Sequence, residues 1–212
     1  MQKTTNVKNL RAYVKGQASL AHVELDKLMS EVPKACKEGC DACCYQMVSV
    51  HTWEEDRIVS FIQGSMHAQT KAIVRKQFVE WWRYLKSVLR PATRMEPITL
   101  LEMQNLQLHM IQRSVMCPFL VDRKCSIYPV RPAMCRAHVV PNDPERCESE
   151  RGRIGVPQGG VHMLAVFGPE SAILPVDKYP HSMKPLAFAT TTALGYPAPS
   201  TPMQAIALGE LL

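Results

Sequence analysis

The chain lacks any long hydrophobic run. Near its C-terminal end the longest uninterrupted apolar stretch is Met163 to Phe167. A membrane-spanning helix needs about 20 apolar residues, so a bilayer crossing is excluded there. The first residues, Met-Gln-Lys-Thr-Thr-Asn-Val-Lys, contain no apolar segment of the kind that opens a secretory signal. The expected location is therefore cytoplasmic, with no membrane contact. Three phosphate- and metal-enzyme signatures are also missing: no G-x-G-x-x-G, no P-loop and no H-E-x-x-H. Without a glycine-rich cofactor loop, a methyltransferase is the least supported enzyme class. No internal repeat is present.

What is present suits one domain with modest extensions. The chain has 212 residues, 46% of them hydrophobic, enough for a core without cross-links. The formal charge is +6. This mildly basic balance permits a nucleic acid, phosphate or acidic partner but does not require one. Proline is concentrated in the last third.

Helical periodicity dominates. Residues 16–32 read as an amphipathic helix, with Ala21, Leu25, Leu28 and Val32 on one face and Pro33 at its end. Residues 46–51 alternate weakly, as a short strand. Thr52 with Glu55 reads as a capping box opening a helix whose apolar face is Ile58, Phe61 and Ile62. Residues 68–90 read as the longest helix, with Val74, Phe78, Trp81, Leu85 and Val88 as its core seam. Lys76, Arg83 and Arg90 lie on its opposite side. That side is either a solvated back or a polyanion-binding face with Trp82 and Tyr84 available for stacking. Thr99 and Glu102 open a helix to about Arg113 that points Leu106, Met110 and Ile111 inward. Val161 to Phe167 is a strand candidate, and a Pro-rich arm, expected to be extended and irregular, follows from residue 169.

The eight cysteines carry the chemistry. Cys36, Cys40, Cys43 and Cys44 fall within nine residues, and Cys117, Cys125, Cys135 and Cys147 follow as a second block. In a reducing compartment such clusters bind metal more often than they pair as disulfides. Thiolates are soft ligands that suit zinc and iron–sulfur clusters. Short loops gather them at little closure entropy. Gly39 supplies an unusual backbone angle in the first loop. Cys43 and Cys44 are adjacent, so their side chains diverge. Cys36, Cys40 and Cys43 also satisfy the bare C-x3-C-x2-C spacing of radical enzymes. Those enzymes carry it on a β/α barrel, for which this chain has too little strand signal. His138, three residues past Cys135, is the best-placed nitrogen donor, although a lone histidine is more often hydrogen-bonded than ligating.

The second block reads Cys117-Pro118-Phe119-Leu120, then Cys125, Ile127, Tyr128, Arg131, Pro132, Cys135 and Arg136. With the early cysteine run, this resembles the YkgJ-type cysteine-cluster family, the zinc- or iron-chelating CxxCxxCC domain. One departure is the first spacer, which has three residues (Lys37, Glu38, Gly39) where the family has two. The resemblance covers roughly residues 36 to 140. It implies a metal site built from both blocks and brings no settled activity; some members resemble flagellin lysine methylases. The expected ligands are Cys36, Cys40, Cys43, Cys44, Cys117, Cys125 and Cys135. Cys147 is either an eighth ligand or a free thiol. Arg131 and Arg136 are expected to offset thiolate charge or to pair with Asp122 or glutamates at the surface. Tyr128 and Phe119 are expected to wall the site. A [4Fe–4S] cluster is preferred, because surplus thiols around one centre fit a simple structural zinc poorly; zinc is the alternative.

The expected fold is mainly α with a small β element around an irregular cysteine-rich core. Residues 1–35 would form a helical extension, 36–150 the metal-binding domain, and 151–212 a strand plus Pro-rich arm packed on the domain or on a partner. Two functions stand. One is a redox or macromolecule-modifying metalloprotein. The other is a metal-stapled binding module that holds a partner through the basic helix 68–90 or the arm 169–212.

Overall fold

The structure, a computed structural model, describes residues 3–32, 39–88, 100–139, 166 and 183–196. It is mostly helical, as expected, with small two-stranded sheet elements. The helices are α1 (Lys3–Ser30), α2 (Thr52–Gly64), α3 (Ala68–Val88), α4 (Leu100–Gln112), α5 (Ala133–Ala137) and α6 (Leu186–Ala189). The strands are β1 (Ser49–His51), β2 (Leu120–Val121), β3 (Lys124–Cys125) and β4 (Met183–Pro185). Antiparallel β1 and β4 pair across most of the chain, and β2 and β3 form a tight hairpin. No helix among the described residues is long and apolar enough to cross a membrane.

The apolar seams collapse into two clusters. In the larger, Ile58 and Ile62 of α2 meet Val74, Phe78, Trp81, Trp82 and Leu85 of α3. Leu106 and Met110 of α4, and Phe119, Ile127 and Val130 near the hairpin, complete that side. Leu186, Phe188 and Leu194 close it from the C-terminal segment. So residues 183–196, within the stretch expected as an extended arm, are folded: they supply a strand, a helical turn and buried core. The smaller cluster packs Ala18, Ala21, Leu25 and Met29 of α1 on Trp53, Ala133, Val139 and Val166. Helix α2 joins the two, because Trp53 in its first turn faces α1 while Ile58 and Ile62 face α3.

Several local expectations shift. The longest described helix is α1 rather than 68–90. Its buried stripe is Ala18, Ala21, His22, Leu25 and Met29, with Leu28 and Val32 only partly covered. Trp82 is 2% exposed, so it cannot stack on a nucleic-acid base. Tyr84 bonds His109 instead of standing open. The residue at the third position of α2 is Glu54 rather than Glu55, because the helix is capped by His51: its backbone N–H donates to Glu54 Oε2 at 3.3 Å. Glu55 pairs with Lys184 of β4 at 3.0 Å. Of the strand expected over 161–167 only Val166 is described, and it is helical and buried. Arg90 and the Thr99 cap lie outside the described residues.

The junction of α1 and α2 buries charge. His22 is 1% exposed and Glu54 is fully buried, 2.8 Å apart. Arg57 Nη1 lies 2.7 Å from the other ring nitrogen of His22. An arginine can only donate, so that nitrogen accepts and Nε2–H donates to Glu54. Burial pushes the His22 pKa below its ordinary 6.5, the Glu54 carboxyl opposes the shift, and Arg136 and Arg57 reinforce it. A histidine with a lowered folded pKa contributes stability that is full above about 6.5 and is lost as pH falls below it. Asp26, Glu54, Arg57 and Arg136 are the charged groups gathered there. The urea midpoint should therefore fall more between pH 7 and pH 5 in the native protein than in His22→Gln, which keeps a polar side chain but cannot titrate. Parallel pH profiles for the two proteins would refute this.

Candidate metal centre

Gly39 opens the first cysteine loop with φ +83°, a left-handed conformation that an L side chain resists. A 3-10 helix over Ala42–Tyr45 then carries Cys43 and Cys44. The Cys117 backbone N–H donates to the Cys44 carbonyl at 2.6 Å, joining the first block directly to the second. From Cys117 the chain runs into the β2–β3 hairpin, whose two turn residues, Asp122 and Arg123, both lie at positive φ (49° and 60°). This is the backbone of a two-residue hairpin turn, usually built with Asn or Gly. Left-handed backbone costs a residue with a Cβ about 1–2 kcal/mol. Arg123 is anchored in return, its Nε 3.3 Å from buried Asp41, two residues before Cys43. The hairpin pairs Cys125 with Leu120. Ser126 N–H donates to the Phe119 carbonyl at 2.8 Å, which holds the strand ends closed beside Cys117. After a 3-10 turn over Tyr128–Val130, α5 delivers Cys135.

The thiols of Cys43, Cys117, Cys125 and Cys135 thus come from the 3-10 helix, the segment leading into the hairpin, β3 and α5, and act on one another. Charge on Cys117, Cys43 and Cys125 raises the Cys135 pKa, after burial, which is the larger cause. Burial likewise pushes Cys117 up to about 12, with Cys125 and Cys43 adding to it. Cys125 is raised by burial, opposed by Arg131. Cys43 is the exception: a hydrogen bond from the Cys44 thiol brings it down to about 7 despite burial, with help from Arg131. The same bond raises Cys44. Among the described residues, the cysteines form no disulfide, and no three Cys, His, Asp or Glu side chains are preset to hold a metal ion. A cation fits this donor set chemically. Soft sulfurs lie buried within electrostatic reach of one another, and their mutual repulsion as thiolates is what a metal relieves.

Arg131 faces the thiols, while Tyr128 and Arg136 stand elsewhere than expected. Arg131 helps to lower the Cys43 pKa and partly opposes the rise that burial causes at Cys125 and Cys135, and its guanidinium lies 4.3 Å from the centroid of the Tyr128 ring. Tyr128 is 59% exposed, so it supports Arg131 instead of walling the site; Phe119 is fully buried. Arg136 is 5% exposed and pairs with Asp26 of α1, not with Asp122. It also donates to the carbonyls of Arg131 and Pro129, both at 2.9 Å. Cys40 is partly buried just after Gly39. Cys36 and Cys147 lie outside the described residues. His138 has its pKa lowered by burial, and its Nε2 is buried with no hydrogen-bond partner among the described residues. Glu54, which sequence periodicity did not single out, reaches this region by accepting the Ala133 N–H at 2.7 Å. Its only sequence signal was its place in the first turn of a helix, where a carboxylate is common.

A cavity of about 10 Å³ adjoins the site between Trp81, Met110, Cys117, Pro118 and Leu186. That is room for about one water, against the roughly 300–1,000 Å³ of a small-molecule pocket. No curated protein and no solved structure matches the chain. Residues 35–150, more than half of the sequence and both cysteine blocks, match the CxxCxxCC family described as "Putative zinc- or iron-chelating domain". The chain therefore belongs to the CxxCxxCC family of zinc- or iron-chelating domains.

Proposed function

We propose that this is an iron–sulfur protein holding one [4Fe–4S] cluster on Cys43, Cys117, Cys125 and Cys135, and that the cluster serves redox chemistry. The observation that supports the reading is that those four thiols lie near enough to act electrostatically on one another, with one arginine, Arg131, acting on three of them. Such a cluster exchanges single electrons at a potential tuned by nearby charge, hydrogen bonds and solvent exposure. Arg131 would offset negative charge on the thiolates. Phe119 excludes water from one side. Arg136 holds the 129–131 turn closed through two carbonyls. Cys44 points its hydrogen at Cys43 and is a spare thiol beside the centre.

Zinc is the second reading, favoured by the short elements that donate the sulfurs. Strands of two residues bury little apolar surface, and a tetrahedral zinc held by four thiolates would staple them. Anaerobic purification, a visible spectrum and assays of iron, sulfide and zinc separate the two. A brown protein with about four irons and four sulfides per chain is expected. A colourless protein with one zinc, unfolding on chelation, would overturn the iron–sulfur reading in favour of the staple.

A further inference from the structure

Cys135 sits on a helix of five residues, Ala133–Ala137, between Pro132 and the stretch beyond Val139. So short a helix is not stable by itself, so its position is imposed from outside. The imposing group is Glu54. It is fully buried, and its two oxygens gather three donors from three different parts of the chain. Oε1 accepts the Ala133 N–H at 2.7 Å and His22 Nε2 at 2.8 Å, and Oε2 accepts the His51 N–H at 3.3 Å. The Ala133 bond falls at the first residue of α5, two positions before Cys135. Arg136, one position after Cys135, is tied to Asp26 of α1. A carboxylate bridging α1, the start of α2 and α5 therefore sets where the Cys135 sulfur lies against Cys43, Cys117 and Cys125.

We propose that Glu54 is a positioning residue for the metal centre, fixing α5 so that Cys135 completes the sulfur set. The proposal rests on Cys135 being a ligand, the reading given above. Losing a group that orients a ligand lowers metal affinity by about 10–100-fold. Glu54→Asp keeps the charge but withdraws the carboxyl by one methylene, out of reach of Ala133. Glu54→Gln keeps an oxygen where Oε1 stands and so keeps that bond.

The test is titration of the reduced, metal-free full chain with cobalt(II) alone, reading the thiolate-to-cobalt absorption and the visible bands that report coordination geometry. Melting of the same metal-free proteins is measured alongside. His22→Gln controls for general loosening, since it disturbs the same buried network without touching Ala133. Glu54→Asp should bind cobalt about 10–100-fold more weakly with altered visible bands. Glu54→Gln should bind near the native level. Cys135→Ser should lose one thiolate's share of the absorption. Equal losses of affinity in Glu54→Asp and His22→Gln at equal loss of melting temperature would reduce Glu54 to a structural role and overturn the proposal. So would native affinity in Glu54→Asp beside a weakened Cys135→Ser, leaving the ligand reading intact. Cys135→Ser with native absorption would remove the ligand reading and the proposal together.

Discussion

Cys117→Ser is expected to empty the metal centre, with a loss of affinity well beyond the roughly 10–100-fold that follows from removing an outer partner. Three features make Cys117 the most sensitive thiol. Its backbone N–H is tied to the Cys44 carbonyl, so it sits where the two cysteine blocks meet. Its sulfur lies within electrostatic reach of both Cys44, in the first block, and Cys135, in the second. Burial holds its proton on up to about 12, so without a metal it is a neutral thiol and the metal must displace that proton. A serine hydroxyl is a hard, weak ligand that does not replace a soft thiolate. Cys44→Ser is the informative contrast. The structure turns the Cys44 thiol toward Cys43 instead of away from it, and a serine hydroxyl there can still donate to Cys43, so with Cys44 outside the proposed ligand set metal content should survive. Metal per chain after desalting, measured by elemental analysis, checks both. A Cys117→Ser protein that retains its metal, or a Cys44→Ser protein that loses as much, would refute the proposed ligand set.

Phe78→Ala is expected to destabilise the protein by about 3–5 kcal/mol, the range for deleting a fully buried aromatic ring. Phe78 is fully buried at the centre of the larger cluster. It meets Trp82 edge-on at 5.7 Å and stacks on Tyr196 at 5.5 Å, so it joins α3 to the C-terminal segment. Truncation leaves a cavity between rings that cannot close over it. The Arg75 guanidinium, which bonds the Leu194 carbonyl at 2.7 Å and lies by the Tyr196 ring, would lose the surface that holds its neighbours in place. Val23→Ala on α1, at a position 64% exposed, should stay within about 0.5 kcal/mol of native. Urea unfolding of the metal-loaded proteins measures both. A Phe78→Ala midpoint as near to native as that of Val23→Ala would mean that the C-terminal segment does not share the core.

Much of the helical architecture was legible because helix formation is local. The seams Val74–Phe78–Trp81–Leu85 and Leu106–Met110–Ile111 repeat at the spacing of one helix face, and all seven residues are buried. The C-terminal segment was not legible in the same way. Prolines dominate its surroundings, yet Met183–Pro185 pairs with Ser49–His51. Strand pairing between segments so far apart leaves no periodic trace in either. Trp82 read as available for stacking because only its place on a basic helix was visible. Two neighbouring tryptophans cannot both follow one narrow stripe, but a helix packed on two sides buries both.

The sequence by itself determined the kind of chemistry: eight thiols in two blocks and a second block specific enough to mark the family. Ligand type follows from residue type, and the spacing of short loops survives in the linear chain. Only the tertiary structure decided which thiols act on one another, that Arg131 acts on them while Arg136 reaches Asp26 some 110 residues away, and that a buried glutamate accepts the first N–H of α5. Those choices depend on how α1, α2 and the hairpin pack. The partner of a buried charge is set by what long-range packing brings within hydrogen-bond distance, because only such a partner offsets the cost of removing it from water.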